Sequence, residues 1–125
     1  MEIKSMQSNL KMSSLFFSEC SIKRNQAVAD GEMKADLQRD IKEVGEHTYD
    51  VELTLTIEKE DLNVLVVAHA RFTYEAENYE KEEAIVSKNT VAIMFPFIRS
   101  QVSLLTTQPG MMPIVLPPIN TAKLK

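Results

Sequence analysis

An apolar and polar alternation that starts at Thr48 and resumes through Tyr74 constrains this chain more than any other feature. Tyr49, Val51, Leu53, Leu55 and Ile57 share one parity, and Thr48, Asp50, Glu52, Thr54, Thr56 and Glu58 the other. Successive side chains of an extended chain point to opposite faces, so this period makes a strand with one dry face and one wet face. A short charged stretch, Glu58 to Asp61 (EKED), interrupts it, and Leu62, Val64, Val66, Ala68, Ala70, Phe72 and Tyr74 then take it up again. Two such runs joined by so short a turn pair antiparallel. The second face of the later run carries Leu65, Val67, His69 and Arg71, which predicts partial cover on that side too.

Two further strands are expected upstream. In LKMSSLFFSECSI, residues 10–22, Leu10, Met12, Phe16, Cys20 and Ile22 fall on one alternating face, with Leu15 and Phe17 on the other, as in a strand covered on both sides. After an ADGE turn at Ala29 to Glu32, Met33, Ala35, Leu37 and Ile41 alternate with Lys34, Asp36, Gln38 and Asp40, while Arg39 breaks the apolar face.

Downstream, EAENYEKEEAIVSK reads as a charged connection followed by a short helix. Asn89 or Thr90 can cap a longer helix that reaches about Gln108, where Pro109 and Gly110 stop it. Val91, Met94, Phe95, Ile98, Val102 and Leu105 make one stripe of that helix, and Ile93, Phe97 and Leu104 widen it until its first half is apolar nearly all round. Pro96 sits inside this run. A helix starting at Pro96 would need Phe95 as its cap, and phenylalanine has no acceptor to offer, so an interior proline is expected. Such a proline costs roughly 3 kcal/mol, and extensive apolar burial is needed to offset it. One sheet covers only one side of a helix, so the rest of the stripe is expected to be covered by a second subunit. The closing MMPIVLPPINTAKLK is too rich in proline for a helix and too apolar for a solvated tail, and is expected to lie extended over an apolar surface.

The whole chain, residues 1–125, fits a single domain. A net charge of −4 leaves no basic stripe for nucleic acid. Arg99 and Ser100 cut the longest apolar run short of the roughly 18 residues that a membrane span needs, so no membrane insertion is expected. Cys20 is the lone cysteine and the N-terminus shows no leader pattern, which points to the cytoplasm. No catalytic or metal-ligating set is legible. His47 and His69 match no ligand spacing, Cys20 has no histidine near it, and Gly31, Gly45 and Gly110 are too far apart for a phosphate loop, so neither an enzyme nor a cofactor is expected. Asp50 and Glu52 share a strand face that could dock a folded basic partner, although Lys34, Lys42 and Lys59 dilute the field. Charge reversal at those two acids would abolish such docking.

Two motifs occur in order near the C-terminus. Phe95 to Arg99 reads FPFIR, and after a turn at Pro109-Gly110, Leu116 to Asn120 reads LPPIN. In these the chain resembles the SecB export-chaperone family, with a compatible strand pattern from about Leu10 onward. The resemblance implies an α+β fold, a four-stranded antiparallel sheet packed on one long helix plus a short helix, assembled as a dimer of dimers. It implies a nucleotide-independent chaperone that holds unfolded polypeptide in apolar grooves, the client being a secretory precursor or, as in SecB-like proteins serving toxin–antitoxin pairs, an antitoxin. By position Phe72, Tyr74 and Tyr79 match the crossover part of such a groove and Ile114, Val115 and Leu116 its later wall. The helix stripe of Val91, Met94, Phe95, Ile98, Val102 and Leu105 matches the subunit interface. The crossover is charged here, at Glu75, Glu77, Glu80, Glu82 and Glu83, where the family is glycine-rich and apolar. Only Thr121 to Lys125 come after LPPIN, where the family has a lid helix and the tail that engages the translocase motor, so the resemblance does not imply hand-over to that motor.

Overall fold

The computed structural model of the protein describes residues 9–25 and 32–118. Four strands, β1 (Leu10–Arg24), β2 (Lys34–Gly45), β3 (Thr48–Lys59) and β4 (Leu62–Tyr74), precede one helix, α1 (Glu82–Leu105). All four strands form one antiparallel sheet in the order β1-β4-β3-β2, which leaves β1 and β2 as edges. The ADGE turn, apart from Glu32, and the last two residues of LPPIN fall outside the described residues.

The central hairpin obeys the alternation. Glu60 and Asp61 alone turn the chain between Lys59 and Leu62, and the register sets Leu53 opposite Ala68 and Ile57 opposite Val64. Val51, Leu53, Leu55 and Ile57 on β3, with Leu62 through Tyr74 of the same parity on β4, form the buried face. Against it α1 lays Val86, Val91, Met94, Phe95, Ile98 and Val102. Each large side chain so buried contributes about 1.5–3 kcal/mol. The helix packs on β4, β1 and β3, and its main cover stops short of β2.

β1 departs from the simple alternation. Its register with β4 slips between Met12 and Ser14 and again between Phe17 and Glu19, so Ser13 and Ser18 are bulge residues without a ladder partner. Each bulge reverses the parity of the residues after it. Leu15 and Phe17 therefore join Leu10, Met12, Cys20 and Ile22 against the core, and Phe16 alone turns outward. The reading of apolar groups on both sides of this strand is corrected accordingly.

The helical part also differs in one respect. Instead of a short helix and a capped longer one, α1 runs unbroken from Glu82, and neither Asn89 nor Thr90 caps it. Thr90 is buried, and its hydroxyl donates to the Val86 carbonyl at 2.5 Å, one turn back, so its polar atom is satisfied inside the helix. Pro96 lies within the helix, as expected, on its exposed side. Thr106 closes the last turn by donating to Val102 O at 2.8 Å. Gly110 then takes φ 78°, a conformation that suits glycine, and the chain doubles back along the helix. Three side chains tie the returning strip down. Arg99 Nε donates to Leu116 O at 2.8 Å, Ser103 Oγ donates to Ile114 O at 3.0 Å, and Ile114 N donates to Thr106 Oγ1 at 2.8 Å. A segment unable to form a regular ladder thus has its backbone groups met by helix side chains.

Candidate functional site

The surface that this fold leaves open lies on either side of α1. On the β2 side, Ala35, Leu37, Arg39, Ile41 and Glu43 stand opposite Ile57, Leu55, Leu53, Val51 and Tyr49 of β3, so they share the helix-facing side of the sheet. Leu37 and Ile41 are only half-buried there, because the helix does not extend its cover to this edge. Arg39 bridges the gap, its Nη1 donating to the Ser87 carbonyl at 2.7 Å.

The hairpin between β2 and β3 closes one end of this shelf. His47 holds φ 52°, a left-handed conformation uncommon for a residue other than glycine. Its Nδ1 lies 2.6 Å from Glu82 Oε1, and the Tyr49 hydroxyl donates to the other carboxylate oxygen of Glu82. Tyr79, on the crossover, stacks on the His47 ring at 3.8 Å and 9° and meets Tyr74 edge-on at 5.9 Å. Burial pushes the Tyr49 phenol above its ordinary range, and the hydrogen bond and charge of Glu82, with Glu43 and Glu83 nearby, push it further. One half-strained histidine and one buried carboxylate thus bind hairpin, crossover and helix N-terminus together.

On the far side of α1 the outward apolar positions are uncovered: Phe97 is 44% exposed and Leu104 67%. Pro96, Leu104 and the strip residues Val115 and Leu116 line a shallow cleft of about 580 Å³. Met112 and Val115, 87% and 74% exposed, project from the strip.

The expected site residues divide between open and buried positions. Tyr79 and Val115 are exposed and Ile114 is half-buried, whereas Phe72, Tyr74 and Leu116 are mostly buried within the protomer. The stripe assigned to a second subunit is covered within the protomer itself. Val91, Met94, Ile98 and Val102 retain no accessible surface and Phe95 almost none, because the chain's own sheet covers them; only Leu105 is partly open. The uncovered residues are Phe97 and Leu104 on the opposite side, with Ile93 half-buried beside them in the sequence pattern. His47, Glu82 and Arg39 were not legible as site residues, since their partners lie 33 to 48 positions away in sequence.

On the outer face of the sheet Asp50 is not a free acid. Arg71 Nε and Nη2 donate to its two oxygens at 2.7 and 2.9 Å, and this hydrogen bond holds its carboxyl below the usual range. Glu52 lies 3.8 Å from His69, which stacks under Phe16 and meets Ser18 Oγ at 2.7 Å. Phe16, Asp50, Glu52, His69 and Arg71 line a cavity of about 330 Å³ that also includes Asp40 and Lys42. The charge of Asp50 is thus already met by Arg71. Among the described residues no group of histidine, cysteine and carboxylate side chains is placed to hold a metal ion, and no helix is long and apolar enough to cross a membrane.

A family model described as "Preprotein translocase subunit SecB" matches residues 4–124. A SecB-like chaperone of Mycobacterium tuberculosis, solved in complex with a ChAD peptide from the HigA1 antitoxin, superposes with a TM-score of 0.72 at 14% identity over 90% of this chain and 88% of that one. A protein of unknown function from Streptococcus agalactiae superposes with a TM-score of 0.53 at 8% identity, over 86% and 96% of the two chains. An uncharacterised protein of Methanocaldococcus jannaschii is 39% identical over 46 residues, which is 37% of this chain and 30% of that relative, so the match spans under a third of the curated relative's length. The two structural likenesses bear on the fold, which is the expected four-stranded antiparallel sheet with one long helix.

Proposed function

The chain belongs to the SecB family, its match running over residues 4–124, and from that premise we propose that it is a nucleotide-independent holdase chaperone that keeps an unfolded polypeptide segment from aggregating. The observation that carries this reading is the half-covered apolar shelf of Leu37 and Ile41 beside α1, closed at one end by Tyr79. A folded chain that leaves such a shelf open beside an edge strand can take an extended apolar segment, with side chains on the shelf and main chain along the edge. The exposed Val115 and half-buried Ile114 of the strip supply a second apolar surface of the same kind. The work is passive: binding non-native chain lowers its free concentration and so its rate of aggregation.

The client in this reading is one aggregation-prone partner of the antitoxin type. The likeness to a chaperone solved with an antitoxin peptide supports it, and export precursors are the alternative that a pull-down of bound polypeptides separates: one abundant species against a broad mixture. The protein acts in the cytoplasm and as a homo-oligomer, a dimer of dimers, built through Phe97 and Leu104. The test is light scattering from a chemically denatured, aggregating protein diluted into buffer without nucleotide. Stoichiometric wild-type chain suppresses the signal, and Leu37→Ser/Ile41→Ser suppresses it several-fold less; an unchanged aggregation curve with wild type rules the reading out.

A further inference from the structure

Arg39 sets a cation into the apolar shelf. It stands opposite the fully buried Leu53 on β3, two positions from Leu37 on one side and from Ile41 on the other, and is itself half-buried. A guanidinium carries five N–H donors, and placing it in apolar surroundings is costly unless they are met. One is met, by the Ser87 carbonyl. Among the described residues no carboxylate lies within ion-pair distance of Arg39. The acids that face the same side, Glu43, Glu82 and Glu83, gather around Tyr49 at the hairpin end, and Glu82 is taken by His47 and Tyr49. Glu43 is four residues along the strand, about 13 Å away at the usual rise.

An arginine in that position, between Leu37 and Ile41 on the shelf, has donors beyond the one given to Ser87 and a planar fork that fits a carboxylate. We infer that Arg39 is a specificity-determining residue: it selects a client segment that carries an aspartate or glutamate flanked by apolar residues, the carboxylate docking on the guanidinium while its neighbours cover Leu37 and Ile41. This rests on the holdase reading and narrows its substrate class from any apolar stretch to an apolar stretch with one acid, which also fixes the register of the bound segment.

The experiment uses the full chain and three dye-labelled apolar dodecapeptides, amidated at the C-terminus and identical except for Glu, Gln or Lys at one central position. Fluorescence anisotropy at low salt is expected to give the Glu peptide about five- to twentyfold tighter binding than the Gln peptide, in keeping with a partly desolvated charged hydrogen bond. The Lys peptide binds weakest, and the preference shrinks as salt is raised. In Arg39→Met the Glu and Gln peptides bind alike. Arg39→Lys, which keeps the charge without the fork, retains a reduced preference and guards against a folding defect in the first variant. Equal binding of Glu and Gln peptides to wild type, or a preference that survives Arg39→Met, overturns the inference and leaves the holdase reading standing. Failure of all three peptides to bind removes both. A change in sedimentation with Arg39→Met instead of a change in selectivity shows that a second copy of the chain occupies the shelf, and also overturns it.

Discussion

Glu82 illustrates how much a single side chain can hold in this molecule. Its carboxylate, at the start of α1, accepts from Tyr49 and lies against His47, so it satisfies two groups from the hairpin while complementing the helix dipole. Replacing Tyr49 by Phe leaves a nearly buried carboxylate short of a donor, and is expected to cost about 1–3 kcal/mol in urea unfolding at neutral pH. The pH dependence has a definite sign. The Tyr49 phenol is raised above its unfolded value, so its contribution is complete below the ordinary phenol range near 10 and is lost as pH rises toward the folded value. The wild-type unfolding midpoint should therefore fall more steeply above about pH 10 than that of Tyr49→Phe; parallel curves would remove this account of the clamp. None of this cluster could be read from the sequence, because His47 and Glu82 are 35 positions apart and meet only when the hairpin end is brought to the helix. Arg39 was visible as a break in an apolar face, but its partner on α1 was not.

At the level of elements the strands and the helix were legible because their periodicities are local. What escaped was the phase within β1 and the continuity of α1. Leu15 and Phe17 sit on the wrong parity for the core unless the strand carries two extra residues, and the choice of Ser13 and Ser18 as those residues is made by the register with β4. The stretch from Glu75 to Lys88 reads as a connection and a separate short helix because Asn89 and Thr90 are good caps; with Thr90 buried, its hydroxyl turns to Val86 O and the helix is continuous. Pro96 provides the prediction at this scale. It lies on the exposed side of the helix in the protomer and withholds a donor from the Ala92 carbonyl, so Pro96→Ala is expected to raise stability by up to about 3 kcal/mol. Thermal unfolding of the two chains measures this directly. A lower melting temperature for the variant would show that the ring packs against a neighbouring subunit, and would place the value of the proline in the assembly.

For the whole molecule the arrangement of cover matters more than the amount. The sheet covers one side of an all-round apolar helix, the strip from Met111 to Leu116 covers part of another, and Phe97 and Leu104 are left open. Exposed apolar surface contiguous along a helix marks a contact site. Sedimentation is expected to show a species heavier than the 14.2 kDa chain, shifted toward the monomer by Phe97→Ser/Leu104→Ser. The helical content and the melting of that variant monitor its fold, since neither side chain belongs to the buried stripe. A wild-type chain that sediments as a monomer at high concentration would contradict the assembly. On the outer sheet face Asp50 is met across the ladder by Arg71, so one of the two acids that alternation offered for docking already has a cationic partner.

Local pattern by itself determined the antiparallel hairpin, the long helix with its interior proline, the extended apolar strip and, through FPFIR and the start of LPPIN, the family. These are properties of residues within a few positions of one another, where side-chain direction is set by backbone period. Only the tertiary structure decided which apolar residues are core and which are surface, because Val91 and Phe97 are chemically alike and differ only in what the fold sets against them. It alone also decided that β2 stands clear of the helix with Arg39 across the gap, since helix cover depends on where a rigid rod comes to rest on a twisted sheet, and no sequence period records that.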